Sequence, residues 1–448
     1  MSVVAALDGR GKGASRCAVR SRGRCLVTAV LALHGGRPVR DAVWPGWPQS
    51  SAKTIDNVLA VLQSERWSIS GPYRGTVSFE QRFAQEYARF TGARYCVPAA
   101  TGTASLAMAL EGVGVGAGDE VIVPAVSWVA SASAVLGINA VPVLTDVDPR
   151  TGCLDPMAVE RSLTSRCRAI TVVHLGSAVA DLAGLLDIAE RHGLPLIEDC
   201  AQAHGARFDG RHVGTFGIAG TFSMQHSKLL TSGEGGAVIT HDEPLARRLA
   251  HLRADGRTLS NTAPPLDCME LVETAELMGS NFCLSEFHAA ILLAQLTKLE
   301  AENSIRRRNV NYLNPLVREL GCEPQRTSPG TTERVYYQYV IGLSAVALEQ
   351  SAVNKISDAL SAELRLPCKP MYAPLNRSRL YRPDTRRRFA ISDDFQAAIC
   401  PERFQLPAAD SFSRSHIALP HRLLLADEAD MMDVVRAIEK VLSHAGRI

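Results

Sequence analysis

Between about residues 80 and 240, short apolar runs alternate with stretches of helical spacing. The apolar runs at 121–124, 141–144 and 194–197 contain almost no polar side chains. A strand with one face in water alternates polar and apolar residues, whereas a strand buried on both faces is apolar throughout. The pattern therefore predicts an α/β fold, a mostly parallel sheet covered by helices on both faces.

The chain after about residue 310 has a different pattern. Residues 336–343 alternate like an antiparallel strand, 346–364 and 427–442 have helical spacing, and prolines divide the region between them into loops. We expect a smaller α+β domain here. The predicted organisation is a large domain over 46–305, with the amphipathic helix 284–299 near its end, and a small domain over 306–448.

The first forty residues are strongly basic, with Asp8 as their single acid. The apolar run 25–33 follows these charges, as in an export signal, but no small-x-small cleavage site follows it. We expect residues 1–45 to be a disordered basic arm or an over-extended start, and an export signal is the alternative.

The charge balance and the cysteine content argue against several classes of partner and of structural site. Lys and Arg number 48 against 46 Asp and Glu, so neither nucleic acid nor a membrane surface is an expected partner. No apolar run approaches the roughly 18 residues of a membrane span. The 11 cysteines are scattered and form no Cys-x-x-Cys pair, which indicates neither disulfides nor zinc. A cytoplasmic location and no metal are predicted.

Three polar clusters follow predicted strands, where open α/β sheets bind ligands. One is 198–205, the second is 223–228 with the glycine-rich 233–236, and the third is Thr101-Gly102-Thr103 at the start of a helix. A lysine such as Lys228 is usually a surface residue. With a strand-end acid and a helix N-terminus nearby, it matches what pyridoxal 5′-phosphate (PLP) requires, because the helix end binds the phosphate and the acid protonates the pyridine nitrogen.

Several motifs in this order resemble the DegT/DnrJ/EryC1/StrS aminotransferases, fold-type I PLP enzymes that act on sugars. These motifs extend from residue 67 to about 437. They are 69–72 (Ile-Ser-Gly-Pro), 118–124 (Gly-Asp-Glu-Val-Ile-Val-Pro), 198–202 (Glu-Asp-Cys-Ala-Gln), 223–236 and 281–282 (Asn-Phe).

Residues 67–75, 223–225 and 252–257 are similar to the glutamine-dependent cyclitol branch of that family. The resemblance implies transfer of an amino group from L-glutamine to scyllo-inosose or 2-deoxy-scyllo-inosose in aminoglycoside biosynthesis. One alternative acceptor is a nucleotide-linked keto-sugar, for which the arginines of 377–388 could bind a diphosphate. Another alternative is a PLP-binding family member without catalytic activity.

The resemblance also implies roles for individual residues. Lys228 would be the Schiff-base lysine, and Asp199 would pair with the pyridinium nitrogen. Asn281 would reach the phosphate of the other subunit's coenzyme, which requires a homodimer. The other implied coenzyme contacts are the phosphate ligands Gly102, Thr103 and Ser223, the stacking residue Trp128, and Gln202 beside the phenolic oxygen. Thr103 is also a predicted helix N-cap.

The sequence departs from the family pattern at three positions. Gly176-Ser177 stand where the family usually has Tyr-Gly, Cys283 replaces a basic residue, and Thr101 replaces an asparagine. The first two lie where substrate is contacted in the family. We therefore expect them to affect acceptor specificity more than coenzyme binding.

Overall fold

The computed structural model describes residues 30–448. Its centre is a sheet of seven strands, which lie side by side in the order Tyr95–Ala99, Gly236–Thr240, Ala219–Ser223, Leu196–Asp199, Cys167–Val173, Glu120–Pro124 and Val141–Thr145. Within this sheet only Gly236–Thr240 runs antiparallel to its neighbours. The predicted α/β class, with a mostly parallel sheet, is confirmed.

Helices surround this sheet and bury its apolar strands. Those of the first part of the chain are Ala52–Ser64, Phe79–Thr91, Gly102–Gly112, Ala130–Gly137, Pro156–Ser162, Leu182–His192 and Glu243–Arg253. Strand Glu120–Pro124 is buried at every position, as its uninterrupted apolar sequence indicated. Two short antiparallel sheets complete this part, one of Arg257–Leu259 with Leu271–Glu273, and one of Arg207–Phe208, Arg211–His212 and Thr331–Glu333.

The C-terminal part contains a second, four-stranded antiparallel sheet. Its strands lie in the order Glu323–Pro324, Gln338–Gly342, His416–Pro420 and Lys369–Pro370. The helices of this part are Ala345–Gln350, Val353–Leu364, Asp393–Ile399, Pro407–Ser415 and Glu428–Ser443.

One long helix, Glu286–Glu319, belongs to both of the main apolar cores. Its first half contributes Leu292 and Leu299 to the core around the seven-stranded sheet. Its second half contributes Leu313 and Val317 to the core of the C-terminal part. The boundary predicted between 305 and 306 therefore falls inside a continuous helix.

The expectation of a disordered arm is wrong for residues 30–45. Leu31 and Trp44 are buried in the core of the C-terminal part, and the Trp44 Nε1–H donates to the carbonyl of Leu364 at 2.7 Å. Apolar and aromatic side chains, which the basic composition obscured, hold this segment in place. Residues 1–29 of the predicted arm lie outside the described residues. We call residues 30–49 the strap.

A buried ion pair fastens the strap to the C-terminal part. Lys440 Nζ lies 2.9 Å from Glu363 Oε1, and both side chains are almost completely buried. The same carboxylate accepts the backbone N–H groups of Ala32 and Val39, at 2.8 and 3.0 Å. On the surface side, Arg40 pairs with Asp430 at 2.8 Å. Glu363 thus satisfies strap backbone groups that would otherwise be buried without partners.

Some elements differ from those that the sequence predicted. The helix predicted over 346–364 is two helices, because Ser351 adopts an extended backbone with φ −155° and ψ 147°. The edge strand Tyr95–Ala99 was not predicted, since its Tyr-Cys-Val-Pro-Ala sequence lacks a clear apolar period. The helix predicted over 284–299 continues to Glu319. The remaining predicted strands and helices are present with small shifts at their ends.

No helix within residues 30–448 combines the length and the apolar character that crossing a bilayer requires. The nine cysteines of this part of the chain are all free thiols.

We predict that Glu363→Gln lowers the free energy of unfolding by about 3–5 kcal/mol, because it leaves the buried ammonium of Lys440 without a counter-charge. Chemical denaturation followed by circular dichroism measures this change. Glu349 is exposed, so Glu349→Gln is the matched control and should change stability by no more than about 0.5 kcal/mol. Equal stabilities of the two variants would contradict this role of the ion pair.

Candidate active site

The parallel strands bring the predicted site residues to one edge of the sheet. Asp199 and Ser223 end neighbouring strands, and Thr101-Gly102 follow the parallel strand Tyr95–Ala99. The loop with Lys228 connects two antiparallel strands, so it returns to the same edge. A cavity of about 900 Å³ opens there, and the predicted residues that line it are Gly102, Thr103, Trp128, Asp199, Gln202, Ser223 and Lys228.

The N-terminus of helix Gly102–Gly112 points its free amides into this cavity region. Thr101 caps the helix, since its Oγ1 accepts the Ala104 N–H at 3.0 Å. This corrects the prediction that Thr103, which lies inside the first turn, is the N-cap. The first amides of a helix have no partner within the helix and attract anions.

Gly102 is required by a close approach of two chain segments. A Cβ added at Gly102 would lie 2.5 Å from the Cβ of Ser223. Any larger residue would therefore force the helix N-terminus away from the end of the strand that carries Ser223. The closeness brings the Ser223 hydroxyl beside the free helix amides.

A neutral histidine supports Ser223 from behind. His204 Nε2 lies 2.9 Å from the carbonyl oxygen of Ser223, and its Nδ1 lies 2.9 Å from the hydroxyl of Tyr87. Burial lowers the pKa of His204 to about 4. The neutral ring therefore donates from Nε2 to the carbonyl and accepts the tyrosine proton at Nδ1.

The carboxylate of Asp199 is held from both sides. Its Oδ1 accepts the Ala201 N–H at 3.1 Å, and its Oδ2 accepts the hydroxyl of Ser131 at 3.0 Å. Ser131 is itself 2.8 Å from Ser127 Oγ. Burial raises the pKa of Asp199, and the positive charge of Lys228 is among the effects that oppose this rise. A further cation beside Asp199 would keep it ionised.

Glu198, the neighbour of Asp199, has a structural role. Its two oxygens accept the N–H groups of Gly214, Phe216 and Gly217 at 2.7–2.8 Å. His174 Nε2 lies 3.2 Å from the same carboxylate. Glu198 therefore fixes the turn at 214–217, and of the two strand-end acids only Asp199 lines the cavity.

Lys228 is a buried lysine in the cavity wall, with only 9% of its surface exposed. Its Nζ lies 4.3 Å from the ring centre of Tyr337. Among the described residues, no carboxylate forms an ion pair with it, in contrast to Lys440. A lysine that is buried without a counter-charge is costly and is typical of a functional amine.

Two further predicted residues differ in their exposure. Gln202 is buried, and its Oε1 accepts the Gly176 N–H at 2.7 Å. Gly176 has φ +67°, a conformation that favours glycine, which accounts for one departure from the family pattern. Trp128 is 51% exposed and lies edge-on to Tyr372, with ring centres 6.4 Å apart. Its ring thus has a free surface beside the cavity.

Asn281 is the one predicted site residue that does not line this cavity. It is exposed, and its Oδ1 accepts the Cys283 N–H at 3.3 Å. The Cys283 thiol lies 3.4 Å from the carbonyl oxygen of Arg253. A single subunit therefore leaves Asn281 outside its own site.

The cavity also contains residues that the sequence did not suggest. They come from the strap, from helix Ala130–Gly137, and from the C-terminal part in and around its sheet: Trp47, Ser131, Tyr337, Gln338, Tyr372, His421 and Arg422. The tyrosines and His421 lie far from the strand-end motifs in sequence. Only Ser131, in an Ala/Ser-rich helix, and Ser127, just before that helix, gave a signal that could have been used.

The donor set fits the coenzyme that the sequence suggested. The helix amides with Ser223 suit a phosphate, and the raised pKa of Asp199 shows a buried carboxylate that needs a cation such as a protonated ring nitrogen. The buried, unpaired amine of Lys228 suits a covalent bond to an aldehyde.

Sequence comparison finds close relatives over nearly the whole chain. The L-glutamine:2-deoxy-scyllo-inosose aminotransferase of Streptoalloteichus tenebrarius is 56% identical over 418 residues, 93% of this chain and 99% of the relative. The protein of the same name from Streptomyces fradiae is 58% identical over 414 residues, 92% of this chain and 98% of the relative. The L-glutamine:scyllo-inosose aminotransferase of Streptomyces griseus is 53% identical over 418 residues, with 93% and 99% covered.

Solved structures share the fold. The crystal structure of 3-amino-5-hydroxybenzoic acid synthase superposes with a TM-score of 0.77 at 30% identity, covering 90% of this chain and 99% of that one. Streptomyces venezuelae DesV, solved with a ketimine intermediate, has a TM-score of 0.72 at 30% identity, with 89% and 95% covered. Residues 48–439 match the family to which the sequence motifs pointed. The protein is an aminotransferase, and its chain belongs to the DegT/DnrJ/EryC1/StrS aminotransferase family.

Proposed function

We propose that this protein transfers the amino group of L-glutamine to a keto-cyclitol, 2-deoxy-scyllo-inosose or scyllo-inosose, in aminoglycoside biosynthesis. The observation that carries the proposal is a cavity in which a buried Lys228 and a buried Asp199 meet, in a chain 53–58% identical to relatives with these activities. A panel of amine donors and keto acceptors, followed through coenzyme absorbance, tests it.

PLP is the proposed coenzyme, and different residues around the cavity would bind different parts of it. Gly102, Thr103 and Ser223 would hold the phosphate, and Asp199 would hold the ring nitrogen. Trp128 would cover the ring, Gln202 would lie near its phenolic oxygen, and Lys228 would hold it covalently. When bound, PLP supplies an electron sink that makes the proton on the donor's Cα acidic.

The protein's own contribution is the positioning of charge and the movement of a proton. The Asp199 carboxylate, fixed by Ser131 and the Ala201 amide, holds a positive charge at one end of the cavity. Lys228 Nζ would take the proton from Cα of the donor. In the second half of a ping-pong cycle it would return a proton to the acceptor carbon.

A nucleotide-linked acceptor is less well supported. All but one of the arginines of 377–388, the candidates for a diphosphate, line a separate cavity around Tyr381 and Phe389; the exception is Arg388. None of them lines the cavity of Lys228. These arginines therefore give no support to a nucleotide-linked acceptor in the cavity of Lys228. The other alternative, a non-catalytic PLP protein, has no use for an amine kept buried and unpaired at Lys228.

We predict that Lys228→Ala abolishes transamination, because Lys228 is the buried amine of the cavity, whereas Lys369, the other lysine that lines it among the described residues, is exposed. Borohydride reduction followed by peptide mass spectrometry should find the coenzyme attached to residue 228 in the wild type and to no lysine in the variant. A coenzyme label on a different lysine of the wild type would overturn the assignment.

For Asp199→Asn, we expect the rate to fall by at least about 10²-fold with the coenzyme still bound, because an amide cannot keep the ring nitrogen protonated. Single-turnover absorbance with glutamine measures the rate. Asp187 is exposed on a helix, so Asp187→Asn serves as the control and should react like the wild type. Near-normal turnover of Asp199→Asn would place the acid elsewhere.

We predict that Asn281 acts in the site of the other subunit of a homodimer. A heterodimer of Lys228→Ala and Asn281→Ala subunits would have one site with both defects and one intact site. Random mixing should restore roughly a quarter of wild-type activity, since half of the dimers contain one intact site.

The activity of this mixture must be compared with the summed activities of the two separate variants, because loss of one hydrogen bond to a charged group costs only about 1.5–3 kcal/mol. Mass spectrometry of the mixed sample first establishes that subunits have exchanged. Exchange without a gain over the sum would rule out a shared site.

A further inference from the structure

The strap contributes a tryptophan to the active-site cavity. Trp47 lines the same cavity as Lys228, although the two are far apart in sequence. It lies just before the segment 48–439 that matches the family. The strap is anchored by Trp44 and Glu363, so Trp47 is carried on a fixed backbone.

The indole ring of Trp47 is held in a defined orientation. Its Nε1–H donates to the carbonyl of His226 at 3.1 Å. Its ring meets that of His421 edge-on, with centres 4.6 Å apart and planes at 88°. An aromatic side chain fixed in this way is preorganised, so it loses little entropy when it contacts a ligand.

Two buried acceptors without partners line the cavity beside this ring. His421 Nε2 lies 3.1 Å from the carbonyl of Ser227, while its Nδ1 has no partner among the described residues. Burial lowers the pKa of His421, so the ring is neutral and Nδ1 carries a lone pair. Gln338 Oε1 is also buried without a partner. Gln338 pairs with Pro420, next to His421, in the C-terminal sheet.

These features fit a polyhydroxylated ring. In a scyllo-configured cyclohexane all hydroxyls are equatorial, so each face of the ring presents axial C–H bonds. Such a face packs on an aromatic surface, and the hydroxyls at the rim donate to buried acceptors that would otherwise remain unsatisfied.

We propose that Trp47, His421 and Gln338 form the subsite that binds the ring of the acceptor, with Trp47 as the specificity-determining residue. This inference rests on the proposed function, because it takes the acceptor to be a keto-cyclitol. It assigns the choice of acceptor to the strap and the C-terminal sheet, whereas the reaction itself stays with Lys228 and Asp199.

The test uses scyllo-inositol, which has the ring and the hydroxyls but no ketone and therefore cannot react. Isothermal titration of the coenzyme-loaded protein measures its affinity. Trp47→Ala should weaken binding about tenfold, and Trp47→Phe should keep most of it, because phenylalanine retains an aromatic face without the N–H. Val43→Ala, at an exposed strap position outside the cavity, is the control and should bind like the wild type.

A second variant tests the acceptor atoms. Gln338→Met keeps the length of the side chain but removes the amide oxygen, and should weaken scyllo-inositol binding about three- to tenfold. The glutamine half-reaction, followed by coenzyme absorbance without any acceptor, is measured for every variant. Loss of ring affinity should exceed loss of the glutamine rate in both Trp47→Ala and Gln338→Met.

Three results would overturn the proposal. Unchanged affinity in Trp47→Ala would exclude Trp47 from the subsite. Equal losses in ring affinity and glutamine rate would show that Trp47 acts through the Lys228 loop. A wild-type protein that does not bind scyllo-inositol and aminates neither scyllo-inosose nor 2-deoxy-scyllo-inosose would refute the proposed function, and this inference with it.

Discussion

The site depends on one geometric constraint, the common direction of neighbouring strands. Parallel strands end at the same edge, so residues that follow different strands meet without long loops. Asp199, Ser223 and the helix that starts at Gly102 gather in this way. Strand Gly236–Thr240 is antiparallel to its neighbours in this sheet. The loop that precedes it, with Lys228, therefore begins and ends at the same edge.

Residues of the same charge have different partners in this structure, and these partners indicate different roles. Glu198 and Asp199 are adjacent and both buried. Backbone N–H groups donate to both oxygens of Glu198, whereas burial raises the pKa of Asp199, so that a nearby positive charge would stabilise its ionised form. Likewise, Lys440 is neutralised by Glu363, whereas Lys228 has no carboxylate partner within residues 30–448. In each pair one charged group stabilises the fold, and the other has the role proposed for it in coenzyme binding and catalysis.

Many of the strands and site residues could be predicted from sequence, because the patterns that indicate them lie within short segments of the chain. Apolar runs such as 121–124 predicted buried strands, and strand-end motifs predicted that Lys228 and Asp199 would meet. The capping role of Thr101 was misassigned by two residues, since several hydroxyls compete at that helix start. Trp47, Gln338 and His421 could not be found, because only the packing of the strap on the C-terminal sheet brings them to the cavity.

The strap has a consequence for the order in which the protein is completed during synthesis. Residues 30–49 are synthesised long before Glu363, Asp430 and Lys440, which fasten them. The strands that carry Asp199 and Ser223 are complete long before. The nascent chain therefore has a sheet edge with its proposed catalytic residues while the wall formed by Trp47 is still missing, and that wall closes only after helix Glu428–Ser443 has emerged.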